Sequence, residues 1–220
     1  MPVRKIPKNH LVVTGSFASR KNAQMADFES LLEKENLLLL EFDDTVERFE
    51  TQPITIPVPN VPKGYTPDVL VHYLPDPVSG DIRKSLLSEV KHTDDLHKNA
   101  NKYAPKFAAA EQYATQCGWE FRVTTQRDIR IPRLANLKFL REYRNIEPAE
   151  QDRAAIIRLM KGAGGPISLQ ALLDQAANND DERLYWLPVI WNLIFIRHLA
   201  TDFDIPFGSD MPLHLSMDIS

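Results

Sequence analysis

Cysteine is nearly missing: Cys117 is the one thiol in 220 residues, which excludes an internal disulfide and a Cys-rich zinc module and suits a reducing compartment. No apolar run approaches the roughly 20 residues that a bilayer-spanning helix needs. Met1 to His10 offers charges and prolines where a signal peptide would place its apolar stretch. The expectation is a cytoplasmic, bacterial protein with no membrane contact. Internal repeats and low-complexity tracts are lacking as well. So is an excess of positive charge, since 26 Lys and Arg stand against 30 Asp and Glu for a net charge of -4. That balance excludes a uniformly basic nucleic-acid binder but leaves room for a local basic surface. What is present is ordinary globular material: 43% hydrophobic and 25% charged residues, enough for one good core or two small ones and too apolar for disorder.

The charge is unevenly placed. Up to Glu150 there are 21 Lys and Arg against 21 Asp and Glu; beyond it there are 5 against 9. Within the neutral part, Arg122, Arg127, Arg130, Arg133, Lys138, Arg141 and Arg144 are opposed only by Asp128 and Glu142, and this stretch is the candidate phosphate-contacting surface. Lys98, Lys102 and Lys106, spaced by four, are a second group that can face DNA, although Pro105 interrupts the spacing and solvated lysines are the plain alternative.

Apolar periodicity predicts a helix from Ala23 to Glu35, a buried strand from Leu37 to Phe42, and a proline-cut strand or hairpin from Val46 to Val58. Strands follow at Asp68 to Tyr73 and Ser85 to Lys91, the latter with Leu87 and Val90 toward the core. A helix runs from Lys106 to Gln116 with Pro105 in its first turn and Gly118 as its stop. Trp119 to Thr124 reads as a strand and the basic segment as one more helix. Alternating strands and helices point to a mixed α/β domain over residues 1–147, with Pro148 marking the boundary. The remainder, 148–220, reads as three helices and a ribbon: Ala154 to Lys161, a Ser168-capped helix, and an apolar helix from Glu182 to Leu199 containing Pro188. This arrangement resembles a winged-helix module. Its shortage of Lys and Arg favours a protein partner over DNA.

Phosphodiester hydrolysis adds negative charge to a group already anionic, so a site needs cations to stabilise it and to acidify water. Carboxylates are the hard ligands that hold Mg²⁺ for this work. Asp68 opens one strand, and Glu89-Val90-Lys91, the only Asp/Glu-x-Lys triplet in the chain, lies on the next. A period of two puts Glu89 and Lys91 on one face. Glu89, Asp68 and the Val90 carbonyl are the candidate metal ligands, and Lys91 would orient or deprotonate the water. Glu-x-Lys alone is commonplace and usually marks a solvated face. His92 and His97 lack zinc-ligand spacing. Gly162-Ala163-Gly164-Gly165 has no following Lys-Ser/Thr and reads as a helix terminator. Trp186 and Trp191 sit among apolar or acidic residues and read as packing.

Ser19-Arg20-Lys21, Phe28-Glu29-Ser30, Gln52-Pro53, Tyr65-Thr66-Pro67-Asp68, Glu89-Val90-Lys91 and Gly118-Trp119 together resemble the TnsA family of transposon endonucleases. The resemblance implies a restriction-endonuclease-like PD-(D/E)xK domain that cuts the 5′ ends of double-stranded transposon DNA with Mg²⁺, for which Mn²⁺ can substitute. A TnsB-like DDE transposase would process the 3′ ends, and the C-terminal domain would engage a TnsC-like AAA+ regulator. It further implies catalytic roles for Glu29, as a helix-borne acid able to serve a second metal, and for Asp68, Glu89 and Lys91. Glu89 stands where the family accepts a carboxylate or glutamine. The DNA-contact candidates are Lys98, Lys102, Arg127, Arg130 and Arg133. A stand-alone restriction or repair nuclease, and a non-catalytic DNA-binding scaffold, are the alternatives.

Overall fold

The computed structural model describes residues 13–216; the expectation drawn from Met1 to His10 lies outside them. Strands β1 (Gly15–Phe17) and β2 (Ala26–Phe28) pair antiparallel and lead into helix α1 (Leu31–Phe42). The start of α1 is written in Ser30-Leu31-Leu32-Glu33. The Glu33 N–H donates to the Ser30 hydroxyl oxygen at 3.1 Å, and the Glu33 carboxylate accepts from the Ser30 O–H and the Glu29 N–H, each at 2.8 Å. Such reciprocal bonds satisfy the donors a helix start leaves over. The expected helix over 23–35 and strand over 37–42 are thereby corrected. A short apolar run fits a buried strand or a buried helix equally, and once the cap fixes the start, Leu37 to Phe42 continues the helix, with Leu37, Leu38 and Phe42 buried.

Four strands form the central sheet, in the order β3 (Val46–Thr51), β6 (Val69–Tyr73), β7 (Leu86–Lys91), β8 (Glu120–Thr125). Between β3 and β6 the chain makes a hairpin of β4 (Ile56–Val58) and β5 (Val61–Tyr65). The β3/β6 and β6/β7 pairs are antiparallel, whereas β7/β8 is parallel and requires a long crossover. Helices α2 (Thr93–Lys98) and α3 (Ala100–Gln116) supply it. Helix α3 starts before Pro105 instead of at it. The proline withdraws one donor from the helix, and the carbonyl that loses its partner belongs to the exposed Asn101. Helix α4 (Gln126–Ile129) closes this part.

The sheet is covered on both faces. Leu70 and Leu87 pack with Ile56, Val58, Tyr65, Ala110 and Ala114 on one side, and α1 packs against β2, β3 and β7. Along β7, Leu87, Ser88, Glu89 and Val90 are all buried. Leu87 and Val90 are therefore both core residues, but the strand period puts them on opposite faces.

Two compact units divide the chain, one through Arg130 and one from Ile131. The division precedes the expected 147/148 because helix α5 (Pro132–Arg141) belongs with the second unit. There the Asn136 amide donates to the carbonyls of Phe203 and Ile205 at 2.9 and 2.7 Å, and Phe139 meets Trp191 edge-on at 4.9 Å. Helix α6 (Glu150–Ala163) ends at Gly164, whose φ of 67° is a left-handed stop. Strand β9 (Ile167–Ser168), helix α7 (Leu169–Ala176), helix α8 (Asp180–Phe195), strand β10 (Leu199–Ala200) and strand β11 (Pro212–Leu215) follow. Ser168 and Asn179 cap α7 and α8. The strands form an antiparallel sheet in the order β10-β11-β9. Among the described residues no helix is long and apolar enough to cross a membrane.

Leu87 is fully enclosed in the first unit's core, so Leu87→Ala is expected to destabilise the protein by about 2–5 kcal/mol, read from the urea midpoint.

Candidate active site

Strands β6 and β7 pair at Val71/Leu86, Leu70/Leu87 and Val69/Ser88, and then part. The next rung would join Asp68 to Glu89. In its place the Asp68 side chain takes over the bonding, Oδ2 accepting the Val90 N–H at 2.7 Å. The main-chain carbonyl of Asp68 accepts the Gln52 N–H at 2.9 Å, so the residue is held from both neighbouring strands. Register puts Asp68 beside Glu89 on one face, with Lys91 two residues further along.

Lys91 is the meeting point. Its Nζ lies 2.7 Å from Glu89 Oε1, 3.6 Å from Asp68 Oδ2 and 3.1 Å from the Val90 carbonyl oxygen. Three oxygens thus surround one cationic centre. The second oxygen of Glu89 accepts the Tyr65 O–H at 2.8 Å. Glu89 is only 4% exposed, a placement that a carboxylate tolerates only when its charge is matched and its lone pairs are bonded.

Matching is incomplete. Burial, then the charge of Asp68, pushes Glu89 up to about 7 in spite of Lys91 and Tyr65. Burial and Asp68 likewise push Glu33 up to about 7. Burial raises Asp68 itself against the pull of Lys91 and the Val90 N–H. For Lys91, burial would favour the neutral amine, but Asp68 and Glu89 outweigh it and hold the ammonium above its ordinary range. Three carboxylates therefore share one cation. Hard oxygen donors in excess of local positive charge suit a divalent ion such as Mg²⁺. Asp27, Glu33, Asp68 and Val90 also line a small cavity of about 10 Å³, close to the room one water-sized sphere occupies. Among the described residues no three His, Cys, Asp or Glu side chains already meet as a metal cluster. The fitting set is two carboxylates and a main-chain carbonyl about an ammonium.

Glu29 is not borne on a helix. It lies between β2 and the Ser30 cap, with Oε1 accepting the Gln52 amide at 3.1 Å. The acid on the first turn of α1, in the electrostatic reach of Asp68 and Lys91, is Glu33. Sequence reasoning passed over it, although the Ser30-x-x-Glu33 spacing carried the signal. Tyr65 belongs to the Tyr65-Thr66-Pro67-Asp68 motif, but its bond to Glu89 has no local signature.

Two family models match the chain: TnsA-like endonuclease N terminal over residues 43–126, and TnsA endonuclease C terminal over residues 128–203. The chain belongs to the TnsA endonuclease family. A search of curated proteins finds no match. The two matched stretches meet close to the division between the compact units of this TnsA-family chain.

The cationic candidates have different surroundings. Lys98 ends α2 and Lys102 lies in α3, both exposed, with Asn99 between the two helices. Arg127 is exposed on α4. Arg130 instead bonds the buried Glu35 at 2.9 Å, and Arg133 lies in the second unit against Asp204 at 3.3 Å. The basic segment is thus shared between two units. Ser19-Arg20-Lys21 braces the fold. The Ser19 O–H and the Arg20 N–H donate to Glu41 at 2.5 and 3.0 Å, and the Lys21 ammonium donates to the carbonyls of Asp43 and Val46.

Glu33 and Glu89 have folded-state values of about 7 against an ordinary 4.5. The folded protein favours their protonated forms, so this contribution to stability is complete below about 4.5 and is lost as pH rises through about 7. The melting temperature of metal-free protein is expected to fall across that window more steeply than that of Glu33→Gln. Parallel curves in differential scanning fluorimetry would show that Glu33 titrates normally.

Proposed function

We propose that this TnsA-family protein is a Mg²⁺-dependent endonuclease that cuts the 5′ ends of a transposon, alongside a TnsB-like DDE transposase that processes the 3′ ends. The observation that carries this reading is the convergence of Asp68, Glu89 and the Val90 carbonyl on one cationic centre at the parting of β6 and β7. A divalent ion held by these oxygens would acidify water and stabilise charge on the phosphorane-like transition state. Lys91, held as an ammonium, supplies a fixed positive charge to a non-bridging phosphate oxygen and does not serve as a base. Tyr65 fixes the rotamer of Glu89. Glu33 is the helix-borne acid of the set, and Glu29 supports it through its N–H. Lys98, Lys102 and Arg127 are the exposed cations for DNA phosphates in the first unit.

The second unit is read as a winged-helix-like module that binds a TnsC-like AAA+ regulator. Its order of α6, β9, α7, α8, β10 and β11, with the three strands in one antiparallel sheet, supports the fold assignment. Its acidic balance and the apolar groove of about 510 Å³ lined by Phe139, Trp191, Phe207, Leu169 and Leu173 support a protein partner.

Strand cleavage reconstituted with end DNA, Mg²⁺ and the DDE subunit tests the reading. Asp68→Ala and Lys91→Ala are expected to slow 5′ cleavage by about 10²–10³-fold, the scale of losing a transition-state charge partner, with the rate taken per folded molecule. Wild-type turnover in either, or cutting of duplex DNA at a specific sequence without partners, would redirect the assignment. Changing Lys98, Lys102 and Arg127 to Glu is expected to weaken DNA binding and flatten its salt dependence by about 0.9 per lost phosphate contact. A salt slope equal to that of the unaltered protein would move the DNA path elsewhere. Arg130 is left out of this set because its loss also acts on Glu35.

A further inference from the structure

The Gln52-Pro53 step is the most constrained backbone beside the acidic cluster. Gln52 has a φ of 47°, in the left-handed region that L side chains disfavour. It also precedes a proline, whose ring disfavours helical-type conformations in the residue before it. The side chain is 6% exposed, and its Oε1 has no hydrogen-bond partner, although buried amide oxygens are nearly always satisfied. Unfavourable features stacked on one residue persist where surrounding structure holds them for a purpose.

Gln52 touches both halves of the cluster. Its N–H donates to the Asp68 carbonyl at 2.9 Å, fixing the residue whose Oδ2 receives the Val90 N–H. Its side-chain Nε2 donates to Glu29 Oε1 at 3.1 Å, and the Glu29 N–H in turn donates to Glu33 Oε2 at 2.8 Å. One residue ties the strand that bears Asp68 to the helix entry that bears Glu33. The first bond is made by the main chain and the second by the side-chain amide.

We propose that Gln52 is a positioning residue that sets the separation of the Asp68 and Glu33 carboxylates, and through it the affinity of the cluster for a divalent ion and the rate of strand cleavage. The proposal rests on reading this cluster as the nuclease site. The amide acts on the acids and not on DNA, so its loss changes metal dependence and turnover while leaving DNA affinity alone.

Two variants of the full chain separate the amide from the backbone. Gln52→Gly deletes the amide and adopts a positive φ without steric cost. Gln52→Glu keeps the size and replaces the donor by an oxygen facing the Glu29 carboxylate. The first readout is the Mn²⁺ concentration giving half of the metal-induced rise in melting temperature of the isolated protein. The second is kcat, KM for end DNA and half-saturating Mg²⁺ in the reconstituted reaction. Both variants are expected to need about tenfold more metal in each assay, the scale of losing a group that orients a metal ligand, and to lose kcat at unchanged KM. Wild-type metal midpoints in folded Gln52→Gly would overturn the proposal, as would a loss of cleavage that only follows the fraction folded. If Gln52→Glu does not fold, Gln52→Gly decides alone. Asp68→Ala is the control. Should it keep wild-type cleavage, the nuclease reading itself fails; should it be inactive while Gln52→Gly is normal, only the role of Gln52 fails.

Discussion

A buried excess of negative charge where β6 and β7 separate governs the first unit. Asp68 and Glu89 share the Lys91 ammonium in a place with little water, and breaking such a buried pair costs about 3–5 kcal/mol. A pair of that kind keeps its geometry only on rigid elements, and β7 is an interior strand with four consecutive buried residues. It lies between β6 and β8 and is covered on both faces. The parallel β7/β8 pairing, the α2–α3 crossover and the β4–β5 hairpin all serve this enclosure, since Tyr65 at the hairpin's end is the residue that bonds Glu89.

Helix α1 is fixed at both ends for the same reason. Its first turn carries Glu33, locked by Ser30 and the Glu29 N–H. Near its last turn, Glu41 accepts from Ser19 and Arg20, while Asn22 accepts the Phe49 N–H on β3 at 3.1 Å. The segment between β1 and β2 therefore acts as a brace between helix and sheet. A helix free to slide by one residue would carry Glu33 about 1.5 Å along its axis and turn it by about 100°, removing it from Asp68 and Lys91.

What was legible in the sequence followed from short-range rules. A period of two placed Glu89 and Lys91 on one face, and a Pro-Asp opening located Asp68. Start and stop residues found Ser168, Gly164 and Gly118. The misread elements needed information from far along the chain or a choice between equal patterns. Leu37 to Phe42 fits a strand or a helix until Ser30 is recognised as a cap, and the choice of Glu29 rests on the motif resemblance and not on the helix pattern. Pro148 resembled a boundary, yet the allegiance of α5 is set by Asn136 bonding carbonyls more than sixty residues away. The bond between Arg130 and Glu35 has no local signature because the partners are 95 residues apart.

The two units differ in what they bury. In the second, the buried polar side chains among the described residues are neutral: Asn136, Asn192 and Thr201. The two asparagines act as staples, each donating to two main-chain carbonyls. The first unit buries the carboxylates of Glu35, Glu41 and Glu89. Glu35 and Glu41 each face an arginine, Arg130 and Arg20, brought from elsewhere in the chain. Glu89 alone must share its cation with a second carboxylate, and that cation comes from its own strand. The buried acids Glu35 and Glu41 thus each face a cation of their own, whereas at Glu89 the shortfall of positive charge falls where two strands open and a chemically useful imbalance can be kept.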